Sequence, residues 1–131
     1  MGNSTFKQIL SFDVEFPYEG KRNIVFTQGE AGELPEATVT NRDPRELVRE
    51  LKKETGEDIW LVGGGTLNAA LLTADLIDRM IITVVPVVLG SGIKLFEGSA
   101  PELPWELTGA DAYDNGFLQL TYERRPFVAI S

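Results

Sequence analysis

The chain has 131 residues, of which 20 are acidic and 12 basic, and a formal net charge of −8. Its length predicts one domain over residues 1–131, and its charge argues against a nucleic-acid or anionic-membrane partner. It has no cysteine and no histidine, which excludes disulfides, thiolate and histidine-based nucleophiles and the usual zinc sites, so we expect no metal.

The composition also bears on where the protein works. No signal-peptide pattern opens the chain, and its longest apolar run, residues 80–89, contains Pro86 and is too short to span a bilayer. We therefore expect a cytoplasmic protein with no membrane partner. With so few nucleophilic side chains, an enzyme of this composition would take its chemistry from a bound cofactor.

Helix and strand patterns alternate through the first half of the chain. Residues 3–10 open with capping residues and predict a short helix. Residues 22–27 predict a strand, residues 28–35 a surface loop and residues 37–40 a short edge strand. A second helix is predicted next, with Asp43 as N-cap, Pro44 at the first helical position and Gly56 at its end. Its apolar stripe is Leu47, Val48 and Leu51.

A glycine turn follows. Residues 59–62 are four apolar residues that predict a short strand buried on both faces, and residues 66–74 have the composition of a helix. Between them lie three glycines, 63–65, which place bare backbone amides at a helix N-terminus, an arrangement that suits a phosphate. The alternative is a tight strand-to-helix turn without a ligand. The glycine turn is not a Rossmann fingerprint, because Asn68 stands where the third glycine belongs. It is not a P-loop either, because no Lys-Ser or Lys-Thr follows the glycines.

Strands dominate the second half. Residues 79–89 predict a long central strand, apolar on both faces, with a bulge at Pro86. Residues 105–110 and 116–123 predict an antiparallel pair turned at 114–116. The fold class is therefore α/β with an antiparallel edge.

The order of these motifs resembles the dihydrofolate reductase-like superfamily, and is most similar to the reductase domain of riboflavin biosynthesis. That resemblance implies a mixed sheet flanked by helices, with a C-terminal antiparallel hairpin. It is carried in order by residues 1–6, 58–67, 76–80, 86–92, 95–96 and 113–116.

The resemblance also implies a function. The family binds NADPH and transfers a hydride to a pteridine or a ribosylaminopyrimidine. By resemblance the Gly63–Gly64 peptide is cis and approaches the cofactor diphosphate, and Thr83 faces the substrate ring, although Thr83 also reads as an ordinary β-branched strand residue. No catalytic residue is implied by the residues present. The implied cofactor-binding residues are Gly63, Gly64, Gly65, Thr66, Leu67, Ser4, Thr5, Thr27 and Gln28.

The chain departs from the family pattern in two places. Asn3 replaces an arginine of the family, which loses a charge-assisted phosphate contact and leaves NADPH and NADH both open. The family's first strand and its substrate loop precede the point that matches Met1, so we expect a domain incomplete at its N-terminus. The tail, residues 126–131, resembles that first strand. We expect it to pair in the sheet, either in its own chain or, because the linker at Arg124 and Arg125 is short, in a partner's as a strand-swapped homodimer; a frayed terminus is the alternative.

Two functions follow. The first is an NADPH-dependent reductase of a small heterocyclic substrate, of the riboflavin-biosynthesis or dihydrofolate reductase type. The second is a non-catalytic, truncated relative that keeps the nucleotide-binding shell or acts as a dimeric interaction module.

Overall fold

A computed structural model describes residues 1–98 and 102–125. These residues form two compact units, one made of residues 1–76 and 94–98 and the other of residues 77–93 and 102–125. The tail 126–131, with its expected strand, lies outside the described residues. Within the described ranges no helix has both the length and the apolar character needed to cross a membrane.

The first unit holds three helices: α1 (Asn3–Ser11), α2 (Pro44–Leu51) and α3 (Gly65–Thr73). Helix α2 begins as predicted, since the Asp43 carboxylate accepts a hydrogen bond from the Arg45 amide at 2.9 Å. It ends at Leu51, five residues before the predicted stop at Gly56. The reason is that the next amides turn back by three residues, with Lys53 bonded to the carbonyl of Glu50 and Glu54 to that of Leu51.

Helix α1 lies where the sequence predicts it, but its N-cap is a different residue from the predicted ones. Its N-cap is Gly2, in extended conformation, and no side chain caps the helix. The predicted capping by the polar residues that open the segment is wrong, because Asn3, Ser4 and Thr5 are already helical. Phe6 is the residue that α1 buries.

A three-stranded sheet lies in the same unit. It consists of β1 (Ile24–Phe26), β2 (Gly32–Glu33) and β3 (Thr38–Thr40) in the order β1-β3-β2, with β1 parallel and β2 antiparallel to β3. Strand β3 is therefore central, and its prediction as an edge strand is wrong. The pattern could not show this, because Gly32–Glu33 has no apolar alternation and sits in a segment that predicts a loop.

The core of the first unit forms under α1 and β1. Val25 is fully buried, and Phe6, Met1 and Ala37 pack around it. Edge-to-face aromatic contacts extend this core outward to the glycine turn, at centroid distances of 6.1, 5.7 and 5.3 Å. The rings in order are Phe6, Phe16, Tyr18 and Trp60. Packing at one end of the chain is thereby connected to the segment that leads into α3.

The predicted strand at that segment, residues 59–62, is wrong. It is extended, but no ladder assigns it to a strand, and Ile59 and Trp60 are 52% and 72% exposed. A strand buried on both faces needs a hydrogen-bonding partner on each side. The described residues supply no such bond to residues 59–62; the nearest one runs from the Gly2 amide to the carbonyl of the next residue, Gly63, at 2.7 Å.

The second unit is an antiparallel sheet of β4 (Arg79–Val84), β5 (Trp105–Ala112) and β6 (Leu118–Arg124) in the order β4-β6-β5. The predicted hairpin is confirmed: Gly116 has φ +89°, the left-handed conformation that favours glycine, and the Asn115 Oδ1 accepts from the Phe117 amide at 3.1 Å.

Strand β4 is shorter than predicted, and within the described residues of its own unit it is an edge strand. It ends at Val84 rather than at Leu89, and among the described residues it pairs with β6 alone. Ile81, Val84 and the apolar residues that follow are exposed. The apolar run in the sequence predicts a strand, but apolar composition alone does not determine which strands it pairs with.

Candidate functional site

The glycine turn joins residues 59–62 to α3. Its Gly63–Gly64 peptide is cis, as the resemblance implies, and Gly63 has φ +114°, which favours glycine. The helix starts directly behind it, since the amide of Asn68 donates to the carbonyl of Gly64 at 2.9 Å.

The first turn of α3 presents free donors. Its N-cap is Gly64, and no side chain caps it. Among the described residues no acceptor takes a hydrogen bond from the amides of Gly65, Thr66 and Leu67. Unsatisfied amides at the positive end of a helix dipole attract anions.

A second helix N-terminus meets the same turn. Gly2 caps α1 without a side-chain bond, and an ideal Cβ built on Gly2 would lie 3.5 Å from the Gly64 nitrogen. The Thr5 hydroxyl lies 3.4 Å from the corresponding Cβ position on Gly64. In the described part of the chain, the amides of Asn3, Ser4 and Thr5 are also without an acceptor. Two uncapped helix N-termini therefore converge at Gly64.

The residues after β1 reach the same edge of the sheet. Phe26 pairs in parallel with Gly2, so Thr27 and Gln28 follow the strand at the end where α1 begins. The Thr27 amide donates to the Thr40 carbonyl at 2.9 Å and its hydroxyl accepts from the Gly29 amide at 3.0 Å. The Thr27 hydroxyl hydrogen thus stays available to a ligand, and the Gln28 side chain is exposed.

The structure adds residues that the sequence patterns did not single out. The segment 94–97 lies against the first turn of α3: the Glu97 amide donates to the Gly65 carbonyl at 3.0 Å. The Asn68 Nδ2 donates to the Leu95 carbonyl at 2.9 Å. One signal could have found Asn68, because it is a lone amide side chain in a run of apolar helix residues.

The remaining predicted site residue, Thr83, belongs to the second unit. It lies on β4 opposite Gln119 and is exposed. Its predicted contact with a substrate ring stays a prediction.

The charged groups near these elements form ion pairs on the surface. The Arg42 guanidinium makes two hydrogen bonds to the Glu50 carboxylate, at 2.9 and 2.7 Å, which raise the pKa of Arg42 and lower that of Glu50. Asp43 is paired with Arg45, whose side chain lowers the pKa of the Asp43 carboxyl. Over residues 1–98 and 102–125, no three acidic side chains come together as metal ligands could.

The chain is similar to known proteins. The family model described as the RibD C-terminal domain matches residues 10–119. Uncharacterized protein YwjB of Bacillus subtilis is 38% identical over 125 residues, a match that covers 95% of this chain and 71% of that protein. Riboflavin biosynthesis protein RibD of Escherichia coli is 36% identical over 76 residues, which is 52% of this chain and 21% of RibD.

Two solved structures are similar as well. The crystal structure of a Shewanella sp. PV-4 protein assigned to riboflavin biosynthesis has a TM-score of 0.83 at 27% identity, over 96% of this chain and 72% of that one. A pyrimidine reductase-like protein from Corynebacterium diphtheriae has a TM-score of 0.59 at 17% identity, over 79% of this chain and 50% of that one, a likeness of fold alone.

Proposed function

The chain belongs to the RibD C-terminal domain family and has its dihydrofolate reductase-like α/β fold, and on that premise we propose that it is a reductase that uses NADPH to reduce a pteridine or a ribosylaminopyrimidine. The observation that carries the proposal is the meeting of two uncapped helix N-termini at Gly64. A dinucleotide carries two linked phosphates, and two helix dipoles with six amides that have no acceptor among the described residues would form a site of matching charge.

The glycines leave room for a diphosphate at this point. Gly64 has no side chain, and an added Cβ would occupy the space beside the Thr5 hydroxyl. Backbone can therefore approach a ligand closely here, which is what glycine permits at phosphate sites.

The remaining roles are those that the family resemblance implies. The amides of Gly65, Thr66 and Leu67 would hold one side of the diphosphate, and Ser4 and Thr5 the other. Thr27 and Gln28 would hold the adenosine ribose and its phosphate, and Thr83 would face the substrate. When bound, the nicotinamide supplies the hydride. The chain's own part is to bind and orient, and we assign no catalytic residue.

The choice of cofactor depends on the start of α1. Asn3 brings no positive charge to a phosphate, so this position adds nothing to the preference for NADPH over NADH. Any preference for NADPH over NADH would have to come from contacts made by the residues that follow Thr27. Titrating both cofactors in parallel measures it directly.

The test is calorimetric titration of NADPH into the wild type and into Gly64→Ala. We expect the wild type to bind and the variant to bind roughly tenfold more weakly or worse, because the added methyl keeps a phosphate off the backbone. Folding should survive, since Gly64 has φ −82° and ψ −164°, which alanine adopts, and the nearest heavy atom is 3.4 Å from the new methyl.

Gly56→Ala is the matched control, because a Cβ at Gly56 meets nothing within 4 Å. It should bind NADPH as the wild type does. A wild type that shows no heat and no thermal shift at millimolar NADPH would contradict the proposal and favour a relative without catalysis. Equal affinity of Gly64→Ala and the wild type would contradict the placement of the diphosphate.

A further inference from the structure

Asn68 is a polar side chain buried in an apolar helix. It is 8% exposed, and its neighbours on α3 are buried apolar residues. Its Nδ2 donates to the Leu95 carbonyl, whereas its Oδ1 is a buried atom with no hydrogen-bond partner among the described residues. The carboxamide lies behind the glycine turn, with both terminal atoms within 4.0 Å of the Cβ position of Gly63.

An unpaired buried acceptor is costly, by about 1–3 kcal/mol in general. A leucine has a similar shape and would fill the same space without that cost. Packing alone therefore does not favour asparagine here. What asparagine contributes, and leucine cannot, is the hydrogen bond from Nδ2 to Leu95.

That hydrogen bond holds the segment 94–97 against the phosphate-facing turn. An ideal Cβ on Gly65 would lie 2.6 Å from the Lys94 carbonyl oxygen, and the Glu97 amide donates to the Gly65 carbonyl. The segment thus contacts Gly65, the first residue of α3, through Lys94 before Leu95 and through Glu97 after it. Fixing Leu95 fixes the backbone that surrounds Gly65, and with it the direction of the free amides.

We propose that Asn68 is a positioning residue: by holding Leu95, its buried carboxamide keeps the amides of Gly65, Thr66 and Leu67 aimed at the ligand's phosphates. The inference rests on the proposed function, because the phosphates are those of the dinucleotide. It adds a residue outside the glycine turn on which binding depends.

The substitution Asn68→Asp tests the hydrogen bond through pH. It keeps the shape but replaces Nδ2 with an oxygen that can donate to Leu95 only when protonated. Burial and the facing carbonyl raise the pKa of the introduced carboxyl, while the helix dipole opposes them. The bond should therefore form at about pH 5 and be lost at about pH 8.

Few other groups titrate nearby. Lys94 and Glu97 flank Leu95, and the charges of α2, which packs on α3, are exposed. The chain has no histidine. Burial lowers the pKa of the Met1 amino group, but the wild type and every variant share this group. A pH dependence confined to Asn68→Asp belongs to the new carboxyl.

The measurement has two parts, each run at about pH 5 and pH 8. One is the affinity for NADPH, with inorganic pyrophosphate as a second probe; the other is the amide NMR shifts of Leu95, Phe96 and Glu97 without ligand. We expect Asn68→Asp to bind about tenfold more weakly at the higher pH and to approach the wild type at the lower. The three amide shifts should titrate together with the loss of affinity.

Two variants complete the design. Asn68→Leu should melt close to the wild type yet bind weakly at both pH values, which separates positioning from folding. Asn115→Asp makes the same change in the hairpin turn, where the side chain acts as an acceptor, and should bind as the wild type does.

Each outcome decides something. Unchanged amide shifts or unchanged affinity in Asn68→Asp would overturn the inference. If the wild type binds pyrophosphate but not NADPH, the proposed function fails, and a weaker pyrophosphate affinity of the variant still supports the inference. If the wild type binds neither probe, both fail.

Discussion

At the scale of single residues, the three glycines of the turn serve different purposes. Gly63 has the positive φ that favours glycine, and Gly64 keeps the space beside Thr5 open. Gly65 is required for packing, because the Lys94 carbonyl and the Glu97 side chain occupy the volume a Cβ would need. The sequence pattern treats all three glycines as one phosphate motif, yet the α-carbon of Gly65 faces the chain's own backbone.

Gly65→Ala should therefore destabilise the fold. The new methyl would lie 2.6 Å from a backbone oxygen and 2.8 Å from the Glu97 Cγ, and overpacking of this kind costs about 1–3 kcal/mol. Urea unfolding monitored by far-UV circular dichroism measures the loss, with Gly56→Ala as the reference. If both variants unfold at the same urea concentration, the segment 94–97 does not pack on α3 in solution.

At the scale of elements, the helices and the hairpin were predictable, whereas the partners of strands far apart in the chain were not. The start of α2 was predictable because its signal is local: Asp43 and Pro44 satisfy or remove amides within one turn. Residues 59–62 and β4 have strand-like composition, but whether a strand is central depends on segments far away in the chain. The glycine turn combines both cases. Its helix and donors follow from local sequence, while its contact with α1 and with Leu95 does not.

The cap of α2 also has a pH dependence. Hydrogen bonds from the Arg45 side chain and then from its amide lower the pKa of Asp43. Its contribution to stability is thus present above the ordinary carboxyl value of about 4 and is lost as the pH falls through the lower folded value. Asp43→Ala should lower the melting temperature at neutral pH, whereas Asp43→Asn should lower it less, because an amide oxygen can still cap Arg45.

Melting curves between about pH 3 and pH 7 measure this effect. The difference between the wild type and Asp43→Asn should shrink toward the acid end. If it stays constant over the whole range, the charge of Asp43 does not stabilise the helix.

At the scale of the whole molecule, the described residues leave much apolar surface uncovered. Val88 and Ile93 in the second unit are 97% and 92% exposed, and Trp60 in the first is 72% exposed. Each unit also has an extended segment that lacks a full set of strand partners among the described residues, namely residues 59–62 in the first unit and β4 in the second. Exposed strand edges and large apolar patches are typical of surfaces that another chain covers.

We therefore propose a homodimer in which a second copy of the chain covers this apolar surface. Val88→Asp tests the proposal, because a side chain that is 97% exposed in one chain tolerates aspartate unless a second chain covers it. We expect the wild type to have the mass of a dimer and Val88→Asp that of a monomer. Light scattering coupled to size-exclusion chromatography measures both masses. A wild-type monomer would rule out the dimer, and a dimeric Val88→Asp variant would show that Val88 lies outside the interface.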